Sequence, residues 1–297
     1  MSTYLITGAT GNTGKPIALG LLAAGHTVRI ISRDAAKAKA LTDKGAVLFQ
    51  GAPTDVALLT EALTGVDAAY FLVAVEWTAA DFGAAQRANV QAFATAAKAA
   101  GLKKLVTLSS IGAHLPEGNG VVNGLYHMEQ AMNAIDGLDV LHLRASYFME
   151  NTLGQVGIVK NMGIMGTAIQ ADLKIPMVAT RDIGAKALAH LLALDFTGKN
   201  VEYVLGPREI TYLEATAILG AAIGKEGIAY VQFPYDQGAK GMMQAGAGAS
   251  LAERMMEMAK CMNEGAMLVG VQRTPSNTMP TDLKDFAATF KAVYEMN

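Results

Sequence analysis

Three glycines stand at equal spacing in Gly8-Ala9-Thr10-Gly11-Asn12-Thr13-Gly14, directly after the apolar run at residues 3–7. Glycines at such a junction let the backbone turn tightly and approach a charged ligand. A helix that opens at the last of them offers unpaired N–H groups and its positive dipole end, which together suit a pyrophosphate. In a chain with 31 glycines the spacing alone arises by chance; its weight comes from the strand before it and the helix after it. Arg33 follows the second β-rich run, in Ile30-Ile31-Ser32-Arg33-Asp34. A guanidinium just past that strand favours a ribose 2′-phosphate, whereas a carboxylate there favours free ribose hydroxyls. Ser32 can add a hydrogen bond to the same phosphate. The expected cofactor is therefore NADP(H) rather than NAD(H), the alternative being that Arg33 is simply solvated and Asp34 holds the ribose.

A reduction at this cofactor needs a proton donor, and the candidates are Tyr126, through its phenol, and His127, through its imidazole. Against each stands the reading of an ordinary helix residue, since only one helix face points inward. His114 lies in the loop after the fifth strand, where ligands bind in open α/β sheets, and is a candidate substrate contact. Asn151 either hydrogen-bonds a carbonyl of the substrate or caps the segment that follows. His142 falls inside a strand and reads as a satisfied core histidine. No two histidines and a carboxylate share a helix-compatible ligand spacing, so no metal site is expected.

The elements that must position these groups alternate. Strands are expected at residues 3–7, 26–32, 47–50, 67–75, 105–109 and 138–144, with helices at 15–24, 34–44, 56–63, 81–100 and 126–135. Near-continuous apolar strands separated by helix-length segments specify parallel βαβ units and a doubly wound, Rossmann-type α/β sheet covered on both faces. After Asn151 the rhythm weakens. Strands at 201–205 and 229–233, a helix at 212–223 and a terminal helix at 282–294 suggest a smaller α+β lobe. Residues 1–150 are thus expected to form the dinucleotide-binding domain, and residues 151–297 a lobe packed on it without a linker.

Composition bounds the function. The chain of 297 residues is 52% apolar and 17% charged, with a formal net charge of −2. That suits a large buried core and gives no basic stripe for nucleic acid. No apolar window is long enough to span a membrane, the N-terminus has no signal-peptide form, and the single cysteine, Cys261, cannot form an intramolecular disulfide; the protein is expected in the cytoplasm. Seven of the 16 methionines fall between Met242 and Met267. They read as a core or dimer helix, or as a deformable lid over an apolar acceptor or a protein partner.

With these features in place, the chain resembles the NmrA-like branch of atypical short-chain dehydrogenases. The resemblance is carried by the glycine turn and Arg33, by LKKLVTLSS at residues 102–110, by Leu143-Arg144 with YFMEN at 147–151, and by Arg273-Thr274-Pro275. That branch holds NADPH-dependent quinone and dye reductases alongside regulators that bind the dinucleotide without turnover. The resemblance implies that Gly8, Thr10, Gly11, Asn12, Thr13 and Gly14 hold the pyrophosphate and that Leu72 and Val73 line the adenine and ribose side. It also implies that Ser109 and Ser110 lie near the nicotinamide, and that Tyr147, Phe148 and Asn151 border nicotinamide and substrate. The chain departs from the wider family in two respects: Tyr126 is followed four residues later by Gln130 rather than lysine, and Ala52 stands where relatives often carry aspartate. A quinone asks little of the protein beyond stacking on the nicotinamide and exclusion of water. The implied activity is NADPH-dependent reduction of quinones or similar apolar acceptors, and the alternative is a non-catalytic NADP(H) sensor acting through a partner.

Overall fold

The computed structural model describes residues 1–296. Nine strands run in chain order as β1 (Thr3–Ile6), β2 (Thr27–Ser32), β3 (Val47–Gln50), β4 (Ala68–Phe71), β5 (Lys104–Ser110), β6 (Asp139–Ala145), β7 (Ile164–Thr167), β8 (Lys199–Val204) and β9 (Ala229–Gln232). Seven of them form one parallel sheet in the order β3-β2-β1-β4-β5-β6-β8. The chain order reverses between β1 and β4, which opens a crevice at the carboxyl edge of those strands. The central strand β4 has no solvent-facing side: Ala68, Ala69, Tyr70 and Phe71 are all buried, because helices cover both faces of the sheet.

One core lies between the sheet and the helices Gly14–Ala23 and Thr180–Ala193, built on Ile6, Ile17, Leu21, Ile30, Ile183 and Leu191. The other face packs Leu5, Leu59, Phe71, Phe93, Leu105 and Met132 under the helices Val56–Leu63, Phe82–Ala100 and Asn123–Asn133. Helix starts follow local chemistry: Asp34, Asp55 and Asp81 each accept a backbone N–H as an N-cap, and Gly101 ends the Phe82–Ala100 helix at φ 65°, both as their residue types favour.

The main sheet extends past residue 150. β8 pairs in register with β6, and the Thr180–Ala193 helix covers the sheet beside the first helix. The remaining C-terminal elements form their own core, in which Met258, Met262 and Met267 join Ile111, Ala113 and Val122 from the loop after β5. A two-stranded parallel sheet, β7 with β9, completes this lobe. The lobe therefore sits on the carboxyl edge of the main sheet, where the backbone N–H of Gly248 also donates to the carbonyl of Trp77 at 2.9 Å. Among the described residues no helix is long and apolar enough to cross a membrane.

Candidate functional site

The glycine turn leaves β1 at the reversal point. Gly8 adopts φ 58°, a left-handed conformation open to glycine, and its carbonyl accepts from the Gly11 N–H at 2.9 Å. A Cβ on Gly14 would lie 2.3 Å from that same carbonyl oxygen, so the turn closes only because Gly14 has no side chain. Thr13 does not cap the helix that follows; its hydroxyl instead accepts from the buried Tyr70 phenol at 3.1 Å. The first-turn N–H groups are thus left without a side-chain acceptor, unlike those of the helices capped by Asp34, Asp55 and Asp81. Thr10, Gly11 and Asn12 are exposed above the turn. A glycine cradle with a free helix N-terminus fits a dinucleotide pyrophosphate.

Around it, Leu72 is half-buried and packs on Gly8, where an added Cβ would come within 2.6 Å of its Cδ2. Val73 differs from expectation: it is buried in the core beneath the sheet, because side chains alternate along an extended segment and only Leu72 faces the turn. Ser32 folds back on its own chain, accepting from the Asp34 N–H at 3.2 Å and donating to the Asp34 carbonyl at 2.9 Å. The Asp34 carboxylate caps Ala36 and Lys37, which occupies the group that would otherwise hold a ribose. Arg33 is exposed at the end of β2, and its Nη1 lies 3.1 Å from Oε1 of Glu76.

At the ends of β5 and β6 lies a buried charged group that sequence reasoning missed. Arg144 clasps Glu129 with two bonds, Nε to Oε1 at 3.0 Å and Nη2 to Oε2 at 2.6 Å. Ser109 donates to the same Oε1 at 2.5 Å. Ser109 is 2% exposed, so its hydroxyl is committed inward to Glu129; Ser110, next along the strand, is half-buried. One further turn of the same helix, Asn133 accepts from Nε2 of His142 at 3.0 Å while Nδ1 of that ring meets the Thr107 hydroxyl at 2.7 Å. Burial holds the His142 imidazole down at about 4, so it is a neutral core histidine, as its strand position suggested.

These contacts fix the direction of the helix Asn123–Asn133. Residues 126, 129 and 133 share one face of an α-helix. Glu129 and Asn133 are pinned to β5 and β6 on that face, and the helix runs back from the carboxyl edge. Tyr126, half-buried, stands one turn before Glu129 on this face, toward the carboxyl edge of the sheet. His127 lies a third of a turn away, exposed, with its ring edge-on to Tyr126 at 5.4 Å. His114 is half-buried in the loop after β5, and its Nδ1 is buried without a hydrogen-bond partner. Desolvation, then the neighbouring Arg144 charge, lower its pKa against the pull of Glu129, so this ring is held neutral beside the site.

A second unforeseen feature is a line of hydroxyls. The Tyr212 phenol donates to Tyr147 at 2.8 Å, and Asn151, exposed, also hydrogen-bonds the Tyr147 oxygen. Tyr212 stacks on Tyr230 at 5.0 Å, and Tyr230 meets the Thr167 hydroxyl at 2.6 Å. Burial raises the pKa of Tyr147 and Tyr212, and that of Tyr230 to about 12. Phe148 is half-buried against the sheet core, its backbone bridged to Val178. Cys261 is buried, and burial followed by the charges of Glu264 and Glu257 pushes its thiol up; it is a small core residue.

The NmrA-like family matches residues 1–286, and the chain belongs to it. A (4-alkanoyl-5-oxo-2,5-dihydrofuran-3-yl)methyl phosphate reductase from Streptomyces griseus subsp. griseus is 33% identical over 223 residues, covering 74% of each chain. An NAD(P)H azoreductase from Xenophilus azovorans is 28% identical over 297 residues, covering 97% of this chain and 99% of its own. Among solved structures, an NADPH-dependent quinone oxidoreductase from Escherichia coli, complexed with NADPH, superposes with a TM-score of 0.80 at 23% identity, over 96% of this chain and 99% of its own. That likeness spans the Rossmann-type sheet and the smaller lobe alike.

Proposed function

We propose that this protein is an NADPH-dependent reductase that passes hydride to quinones or similar flat, apolar acceptors. The carrying observation is that the glycine turn, with its free helix N-terminus, opens at the carboxyl edge of the sheet, the edge on which a separate apolar lobe sits. The reductases among its family relatives support the same reading.

In this reading Gly8, Thr10, Gly11, Asn12, Thr13 and Gly14 hold the pyrophosphate, Leu72 flanks the adenosine half, and Arg33 reads the 2′-phosphate. The bound cofactor supplies the hydride. Tyr126 gives a proton to the oxygen of the reduced acceptor; its phenolate is reprotonated from solvent through the exposed side of the helix. The Glu129–Arg144 pair acts at one remove, as a positioning group that fixes the Tyr126 helix against β5 and β6. Tyr147, held by Tyr212 and Asn151, and the half-buried Phe148 and Ser110 border the acceptor side. The C-terminal lobe excludes water, which strengthens every electrostatic contact beneath it. No lysine is needed beside Tyr126, because the hydroquinone anion left by hydride transfer is a far weaker base than the alkoxide formed from a simple ketone.

The test is NADPH oxidation with a panel of quinones, azo dyes and simple ketones, beside calorimetric titration of NADPH and NADH. Saturable turnover of quinones, with ketones inert, is the expected result. Tight NADPH binding with no turnover of any acceptor would overturn the reading in favour of a sensor.

A further inference from the structure

The ion pair between Arg33 and Glu76 joins two elements that do not touch in the sheet. Arg33 follows β2 and Glu76 follows β4, and β1 lies between them. The pair therefore passes over the end of β1, above the start of the glycine turn. A dinucleotide lying from that turn toward the end of β2 must run beneath or through it. We propose that Glu76 is a selectivity latch: it occupies the Arg33 guanidinium in the free protein, competes with the ribose 2′-phosphate, and so sets how strongly NADP(H) is preferred over NAD(H). This rests on the reading of Arg33 as the phosphate contact.

Two observations make Glu76 the fixed member of the pair. The segment that carries it is tied down on both sides, by Asn89, whose Oδ1 accepts from the Ala74 N–H at 3.0 Å, and by Gly248, whose N–H donates to the Trp77 carbonyl at 2.9 Å. The Glu76 carbonyl also accepts from the Ala79 N–H at 3.2 Å. Arg33, by contrast, has a side chain 63% exposed and sits at the tip of a loop, with only its Nη1 engaged. Binding a 2′-phosphate then requires the guanidinium to leave a carboxylate 3.1 Å away, or to serve both anions at once with the two held in mutual repulsion. NADH, which lacks that phosphate, asks nothing of the pair. The latch thus penalises only the phosphorylated cofactor. Because Glu76 adjoins Trp77, which the C-terminal lobe holds, the cost is coupled to how that lobe sits.

Exposed ion pairs are worth up to about 1 kcal/mol, which is a factor of about five in affinity. Replacing Glu76 by Gln is therefore expected to tighten NADP⁺ binding roughly two- to five-fold while leaving NAD⁺ unchanged, and the gain should shrink as salt screens the pair. The experiment is calorimetric titration of both cofactors into the wild type, E76Q, R33A and the double variant; both side chains are at the surface, and circular dichroism checks that each variant folds. In the R33A background E76Q should no longer tighten NADP⁺. If R33A leaves the NADP⁺ to NAD⁺ ratio at its wild-type value, Arg33 is not the phosphate contact and the parent reading fails. If R33A abolishes the preference but E76Q leaves NADP⁺ affinity unchanged or weakens it, Arg33 stands and the latch is refuted.

Discussion

Removing Glu129 should cost the protein more stability than any surface change, and the structure says how much. The carboxylate side chain is 3% exposed and takes two bonds from Arg144, itself 13% exposed, and one from Ser109. Glu129→Ala leaves a buried guanidinium without its counter-charge, a loss of about 3–5 kcal/mol, and strips the Ser109 hydroxyl of its acceptor for about 1 kcal/mol more. Some of this is recovered because Arg144 retains a hydrogen bond to Tyr203 on β8. We expect a net loss of about 4 kcal/mol by urea unfolding. The double variant Glu129→Met with Arg144→Met removes both charges from the same space and should lie within about 2 kcal/mol of wild type, giving a coupling of at least 2 kcal/mol. Glu129→Gln keeps an acceptor for Ser109 and should lower kcat while leaving NADPH affinity intact, since it loosens the Tyr126 helix and not the glycine turn. A Glu129→Ala loss below about 1 kcal/mol, or a cycle that is simply additive, would show that the pair is not the clamp described.

Three further outcomes follow from the same geometry. Gly14→Ala puts a Cβ 2.3 Å from the Gly8 carbonyl oxygen and should weaken NADPH binding by about a hundred-fold, or about 3 kcal/mol by calorimetry; Gly157→Ala, with nothing within 4 Å, should leave binding unchanged and gain about 0.5–1 kcal/mol of stability. Tyr126→Phe should lower kcat for quinones by about a hundred-fold with NADPH affinity preserved; full activity in that variant, with loss in His127→Gln, would move the proton donor one residue along. His142 has a folded-state pKa of about 4 against an ordinary value of 6.5, so the unfolded chain binds the extra proton first. Stability is whole above about pH 6.5 and declines as pH falls towards 4, with about 2 kcal/mol gone at pH 5; urea midpoints should fall accordingly, and His142→Gln should flatten the profile over that window.

Much of the first half was legible because local signals agreed with the tertiary result. Residues 47–50 and 56–63 form the strand and helix expected of them, since an apolar run and an aspartate cap each decide their own conformation. Past Asn151 the decisions are made by packing. β7, Ile164–Thr167, contains Gly166 and is held by β9 across a separation of more than 60 residues, which no local pattern announces. The helix Thr180–Ala193 carries Gly184, a residue that lowers helix propensity, and is stabilised by burying Ile183, Ala187 and Leu191 against the sheet. β8 is mostly exposed or half-buried and buries only Val204, as an edge strand does, so its place beside β6 could not be read from hydrophobicity.

The site divides along the same physical line. A glycine turn is made of backbone, and backbone requirements are written in residue types: Gly8 and Gly14 announce a geometry that other residues cannot adopt. The electrostatic parts of the site are made of pairs, and a pair is invisible until the fold brings its members together. Glu129 and Arg144 are 15 residues apart, Arg33 and Glu76 are 43 apart, and Tyr147 and Tyr212 are 65 apart. Nothing in any one of those segments marks its partner. Sequence therefore exposed the glycine turn and the single side chains, Arg33 among them, and left hidden the partners that hold those side chains. Ser109 shows the consequence: the strand-end serine was expected at the nicotinamide, and its hydroxyl is instead turned to a carboxylate from the next helix. A buried charge outcompetes a weakly held ligand contact for the one hydroxyl within reach, because leaving Glu129 short of a donor costs more than leaving a solvent-accessible amide to water.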